Sequence, residues 1–272
     1  MRIWGKVFGF LFGFMFGKII GALIGLYLGH RFDRSLGQDF SKQGGFSKFF
    51  VNKDSFANQA VFFHAVFSVY GHIAKASGQV TPQEIQAASM LMDKMGLHDE
   101  MRKEAQHAFN LGKANDFPLE QTLKEFKRSS FGQRDILQLF LEVQLQAAFA
   151  DGELHPKERD ILYTVARILG FSVADIKRLL QQLEAQMHYH RQQGGGQQQN
   201  NGPSLDDAYS ILGVSEDADD KTVKKAWRKQ MSQHHPDKLA AKGLPQEMLE
   251  IANQKAQDIQ AAYEQIKRHR NL

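Results

Sequence analysis

The chain has no cysteine. That absence excludes disulfide staples, thiolate metal sites and a cysteine nucleophile. Strand-like alternation of apolar and polar residues is almost missing, which argues against a sheet-based fold. Neither sign of charge dominates: 34 Lys and Arg stand against 30 Asp and Glu, a net charge of +4. Such a mild excess suits an anionic lipid surface as well as an acidic partner. There are six prolines in 272 residues, so those that occur are informative punctuation. A long apolar run occurs only at the N-terminus, and the remaining length leaves room for two soluble domains.

That run covers residues 7–28, 22 residues with one charge, Lys18. It is long enough to cross a hydrocarbon core of about 30 Å as a helix. Glycine recurs at every fourth position, at Gly5, Gly9, Gly13, Gly17, Gly21, Gly25 and Gly29. In water each would cost a helix roughly 1 kcal/mol against alanine. In lipid the unsatisfied backbone enforces the helix regardless. A ridge of this kind lets two helices approach closely, so a homodimer through the transmembrane helix is expected. Lys18, near mid-span, is expected to face a partner such as the helix–helix seam, water or a snorkelling route. A cleaved signal peptide is disfavoured, because no small-residue cleavage site follows the run. Arg2 and Lys6 precede the span, whereas Arg31, Arg34, Lys42, Lys48 and Lys53 follow it. The positive-inside rule therefore puts the C-terminal bulk in the cytoplasm. Residues 1–31 are read as the anchor segment and 32–55 as a basic juxtamembrane segment.

Residues 56–190 carry helical periodicity throughout. Pro and Gly divide them into about seven helices, near 56–76, 82–95, 99–112, 118–129, 133–150, 156–169 and 173–188. An internal repeat aligns Ser77-Gly78-Gln79-Val80-Thr81-Pro82-Gln83-Glu84 with Asp151-Gly152-Glu153-Leu154-His155-Pro156-Lys157-Glu158. Both copies place Pro at the first position of a helix, and Thr81 with Glu84 predicts a capping box. Two similar helical hairpins packed about a pseudo-twofold are expected. The acidic turn at Asp151, Glu153 and Glu158 matches no calcium-loop pattern. No metal site is expected there, and His188 and His190 are expected in solvent. No nucleophile–base spacing suggests an enzyme.

Residues 191–203 are rich in Gln, Gly and Asn and read as a flexible tether with a typical span of roughly 20 Å. A tether of that length lets the following module search for its partner while staying near the membrane.

The segment 204–272 carries the most specific signal. A short amphipathic stretch, Asp207-Ala208-Tyr209-Ser210-Ile211-Leu212, ends on Gly213-Val214. A basic stretch follows, containing Lys221, Lys224, Lys225, Trp227, Arg228 and Lys229. Asp219 is its expected N-cap. Pro236 must end it near His234 or His235. His235-Pro236-Asp237 is then expected on a tight loop, continued by a long one through Pro245. Met248, Ile251, Ala252, Ile259, Ala262, Tyr263 and Ile266 predict a last long helix.

Short helix, basic helix, His-Pro-Asp and long helix in this order resemble a J domain, the DnaJ-type co-chaperone module. The resemblance implies docking on a DnaK-type chaperone ATPase whose ATP hydrolysis the module accelerates. His235, Pro236 and Asp237 match the functional motif, and Lys224, Trp227 and Arg228 match positions of the partner-facing basic helix. The sequence departs from the family at Gln230, where Leu is usual, and at Trp227, where Tyr is usual. Little chain remains after Tyr263 for a fourth helix.

The central region resembles the TerB-like helical domain, on its helix order and its Gly-x-x-x-Pro-x-x-Glu turns. With the anchor, the chain resembles membrane-anchored DnaJ-like co-chaperones of Gram-negative bacteria. The expected fold class is all-α: a single N-terminal transmembrane helix, a central TerB-like helical domain with an internal repeat, and a C-terminal J domain. The resemblance implies a single-pass protein of the cell inner membrane, N-terminus periplasmic, with lipid and a DnaK-type chaperone as partners. It also implies a part in envelope signalling leading to capsule polysaccharide synthesis. Cofactors, metals and nucleic acid are not expected. The competing readings are a membrane tether that binds nucleic acid through the basic helix, and a metal-sensing adaptor.

Overall fold

The computed structural model describes residues 53–149, 154–194 and 204–271. The glycine ridge, Lys18 and the expected span lie outside the described residues, as does most of 32–55. Among the described residues no helix is long and apolar enough to cross a membrane.

The described part is helical, without strands. Its helices are α1 (Lys53–Lys75), α2 (Pro82–Lys94), α3 (Asp99–Gly112), α4 (Leu119–Ser129), α5 (Arg134–Ala148), α6 (Pro156–Leu169) and α7 (Val173–Gly194). Then come α8 (Leu205–Leu212), α9 (Asp220–His234), α10 (Pro236–Ala241), a 3-10 turn (Gln246–Met248) and α11 (Leu249–Arg270). The boundaries follow local chemistry. At α2, Thr81 and Glu84 form the reciprocal cap: Glu84 Oε2 accepts from the Thr81 backbone N–H at 2.6 Å, and Thr81 Oγ1 accepts from the Glu84 N–H at 3.2 Å. Pro82 and Pro156 each occupy a first helical turn, where the missing N–H has no intrahelical partner to lose. In the second copy His155 is the cap, its Nδ1 accepting from the Lys157 N–H at 3.3 Å. Gly170 closes α6 at φ 96°, a left-handed conformation that favours glycine.

Helix α1 forms the heart of the bundle. Phe63, Phe67, Tyr70 and Ile73 are fully buried along it. Phe62 meets Phe126 of α4 edge-on at 5.4 Å between ring centres, and Phe126 lies 4.4 Å from Phe140 of α5. Tyr70 Oη is 2.8 Å from the Glu84 carbonyl and 3.3 Å from that of Ala147, so one hydroxyl serves α1, α2 and α5. Against α3, α1 packs backbone to backbone. A Cβ added at Gly71 would collide with the Phe109 carbonyl, and one at Gly112 with the Ser68 carbonyl.

Helix α7 leads out of this bundle and into the next set of helices. It runs to Gly194, into the stretch read as linker, and residues 195–203 lie outside the described residues. Ala185 and Tyr189 of α7 belong to the same apolar cluster as Ala208, Tyr209, Ile211, Leu212, Val223, Ile259, Ala262, Tyr263 and Ile266. The free-ranging module expected from the tether therefore gives way to a docked one. Helix α7 covers apolar surface of α8, α9 and α11, and the C-terminal set reaches four helices because α10 precedes the long one.

Candidate partner-docking site around the His-Pro-Asp turn

Asp219 caps α9 as expected, its Oδ1 accepting from the Thr222 N–H at 2.9 Å, and hydrogen bonding to Thr222 holds its carboxyl below the usual range. Lys221, Lys224, Lys225, Arg228 and Lys229 recur at intervals of three and one, which gathers them into one stripe. All five are exposed, and among the described residues none forms an ion pair. An unpaired cationic stripe attracts an acidic surface and orients it on approach.

The tight loop expected at the motif is a one-residue break. His235, at φ −64° and ψ 122°, ends α9 and caps α10 at once. Its Nδ1 accepts from the Asp237 backbone N–H at 3.2 Å. Pro236 opens α10, so the stretch expected as a long loop is helical as far as Ala241. Proline explains both halves of the geometry: it forces the preceding residue out of helical angles and is itself well placed in a first turn. The outcome is a rigid corner from which the Asp237 carboxylate projects, 91% exposed, with the His235 ring 43% exposed beside it.

Trp227 sits differently from Lys224 and Arg228. It is half-buried and stacks on Tyr263 at 4.4 Å and 13°, with its Nε1–H donating to Gln260 Oε1 at 3.0 Å. It joins α9 to α11 from behind the cationic stripe. Arg270, which the sequence did not single out, ties the far end of α11 to α8 and the start of α9. It donates to Tyr209 Oη at 2.7 Å, to the Ala218 carbonyl at 2.6 Å and to Asp220 at 2.9 Å.

Behind the motif lies a buried ionic group that sequence reading also missed. His234 Nε2 is 3.1 Å from Glu142 Oε1 of α5, and Lys255 of α11 is 3.3 Å from Glu142 Oε2. Gln138 Nε2 donates to Glu142 Oε1 at 2.9 Å. Burial pushes the Glu142 carboxyl upward, but Lys255, His234 and the bonds from His234 and Gln138 outweigh it and hold the group well below the usual carboxylate range. A charge inside the apolar run Leu137-Gln138-Leu139-Phe140-Leu141-Glu142-Val143 was the available signal. It shows that Glu142 must have a partner, without showing which.

His190 Nε2 lies 3.1 Å from Asp258, and His188 lies 3.9 Å from Asp207; both rings are exposed as expected. Among the described residues no group of three or more His, Asp or Glu is arranged to hold a metal. Asp151 and Glu153 lie outside the described residues.

Residues 1–39 match the co-chaperone DjlA transmembrane domain, residues 63–181 the tellurite resistance protein TerB family, and residues 207–271 the DnaJ domain. The co-chaperone protein DjlA of Photobacterium profundum is 51% identical over 277 residues, spanning 99% of this chain and 100% of that protein. The chain belongs to the DjlA co-chaperone family. The DjlA co-chaperones of Aliivibrio fischeri and Salmonella paratyphi A are 48% and 45% identical to it, each over 100% of both chains. No solved structure matches. The DjlA-type order of anchor, TerB domain and J domain makes this a membrane-anchored co-chaperone, a regulator. The turn at His235 lies within its DnaJ-domain match.

Proposed function

We propose that the protein recruits a DnaK-type chaperone ATPase to the cytoplasmic face of the inner membrane and triggers its ATP hydrolysis through His235, Pro236 and Asp237. The observation that carries this is the exposed Asp237 carboxylate at a proline-fixed corner, beside an unpaired stripe containing Lys224 and Arg228. The stripe steers an acidic surface of the chaperone. Asp237 accepts a bidentate bond from a partner arginine. Pro236 holds the corner ready, so little ordering entropy is lost on docking. Trp227 supports the stripe from within. No cofactor, metal or nucleic acid enters this reading. In it the anchor spans the inner membrane once, with the N-terminus periplasmic, and the glycine ridge from Gly5 to Gly29 pairs two copies. The output is envelope signalling that reaches capsule polysaccharide synthesis.

The test is single-turnover ATP hydrolysis by a DnaK-type chaperone, with the full-length protein in lipid nanodiscs. Wild type should accelerate hydrolysis, whereas folded Asp237→Asn and His235→Gln should not. Acceleration by either folded variant at the wild-type level would refute the assignment.

A further inference from the structure

The motif turn is gripped from behind on both sides by a single helix of the central bundle. On the upstream side His234, the residue before the motif, is buried. Its Nδ1 is 3.0 Å from the Gln230 carbonyl and its Nε2 is 3.1 Å from the Glu142 carboxylate. Both ring nitrogens thus lie within hydrogen-bond distance of a neighbouring oxygen. On the downstream side Lys242, just past the end of α10, pairs with Asp135 in the first turn of α5. Asp135 and Glu142 are seven residues apart, about two turns, so they lie on one side of α5. The same grip leaves Asp237, Lys224 and Arg228 in the open. It backs the docking face and does not cover it.

From this geometry we propose that Glu142 is a positioning residue for the His235-Pro236-Asp237 turn: through His234 it fixes the corner so that Asp237 meets the chaperone in one orientation. The proposal rests on the functional reading above and deepens it. A buried ion cluster needs well-defined geometry to offset desolvation, which suits it to setting register. A functional constellation works when a second layer of contacts locks it. Stimulation of the chaperone is then a property of bundle and J domain together.

The test uses the full-length protein in lipid nanodiscs and single-turnover hydrolysis by a DnaK-type chaperone, titrated to saturation. The variants are Glu142→Gln, His234→Met, their combination, Asp237→Asn and Arg270→Gln. Glu142→Gln and His234→Met should each lower the maximal acceleration about tenfold, with half-saturation within about twofold of wild type, because the cationic stripe is untouched. The double variant should be no worse than the weaker single one, since both break one contact. Arg270→Gln loosens the J domain away from the turn and should keep maximal acceleration below its melting temperature. If Glu142→Gln fails to fold, His234→Met carries the test, because Glu142 keeps Lys255 and Gln138. Wild-type acceleration by the folded single variants, or losses that multiply in the double, would overturn the proposal. Loss of acceleration in Asp237→Asn alone would leave the functional reading standing and reject the positioning role. Full acceleration by Asp237→Asn would reject both.

Discussion

Gly112 of α3 lies so close to Ser68 of α1 that a single methyl group would enter the Ser68 carbonyl. Gly71 makes the reciprocal approach to Phe109, so two glycines set the separation of the helices. Elsewhere in a helix glycine to alanine is stabilising by about 1 kcal/mol. Here Gly112→Ala should destabilise by about 3 kcal/mol, since neither backbone can yield locally. Thermal unfolding checks this, and an unchanged or raised Tm would show that the helices do not meet as described.

His64 gives the bundle an acid-sensitive side. Burial depresses its pKa to about 4, reinforced by His107 and opposed by Glu104. Unfolded histidine titrates near 6.5, so between those values the unfolded chain binds more protons. Stability is therefore full above about pH 6.5 and falls as the pH drops toward 4, by about 3 kcal/mol at the lower end. Burial lowers His72 as well, with the Gly112 carbonyl opposing, which adds in the same direction. His64→Phe should flatten most of the decline in Tm between pH 7 and pH 5. A slope as steep as wild type would show that other groups carry it.

Tyr189 belongs to α7 yet completes the apolar cluster of α8, α9 and α11. Removing its ring should cost about 3 kcal/mol. Tyr189→Ala should thus speed amide exchange in α8 and α11 on the order of a hundredfold, although the substitution lies outside the DnaJ-domain match. Unchanged exchange there would mean that the J domain is folded independently of α7.

Trp227 stacks on Tyr263, and this contact makes it a brace. Trp227→Phe keeps an aromatic face, loses the bond to Gln260 and should cost about 1 kcal/mol. Below its melting temperature the variant should still accelerate the chaperone ATPase, whereas Arg228→Ala should raise the concentration needed for half-saturation. A weakened half-saturation in Trp227→Phe would return the indole to the docking face.

Local punctuation made most of the helices legible. Pro82, Pro156, Gly170 and Pro236 announce their boundaries because each acts within its own turn, through a missing N–H or a left-handed φ. The Thr81–Glu84 cap and the Asp219 cap were readable for the same reason. The short helix after Pro236 is not legible in the sequence, because proline both ends one helix and starts another, and the residues after it carry no apolar period long enough to show the second role. The glycine contacts at Gly71 and Gly112 were missed because an isolated glycine inside a helical pattern announces no partner.

What the amino-acid order determined by itself is the succession of helices, the proline corner and the chemical character of the residues upon it, since these arise from contacts a few residues long. Only the tertiary structure decided that Glu142 meets His234 across 92 positions, that Trp227 turns inward, and that α7 completes the core of the helices beyond it. A buried charge requires some partner to offset its lost hydration, and an apolar face requires some cover. Neither requirement names the group that meets it, and the choice is made by packing.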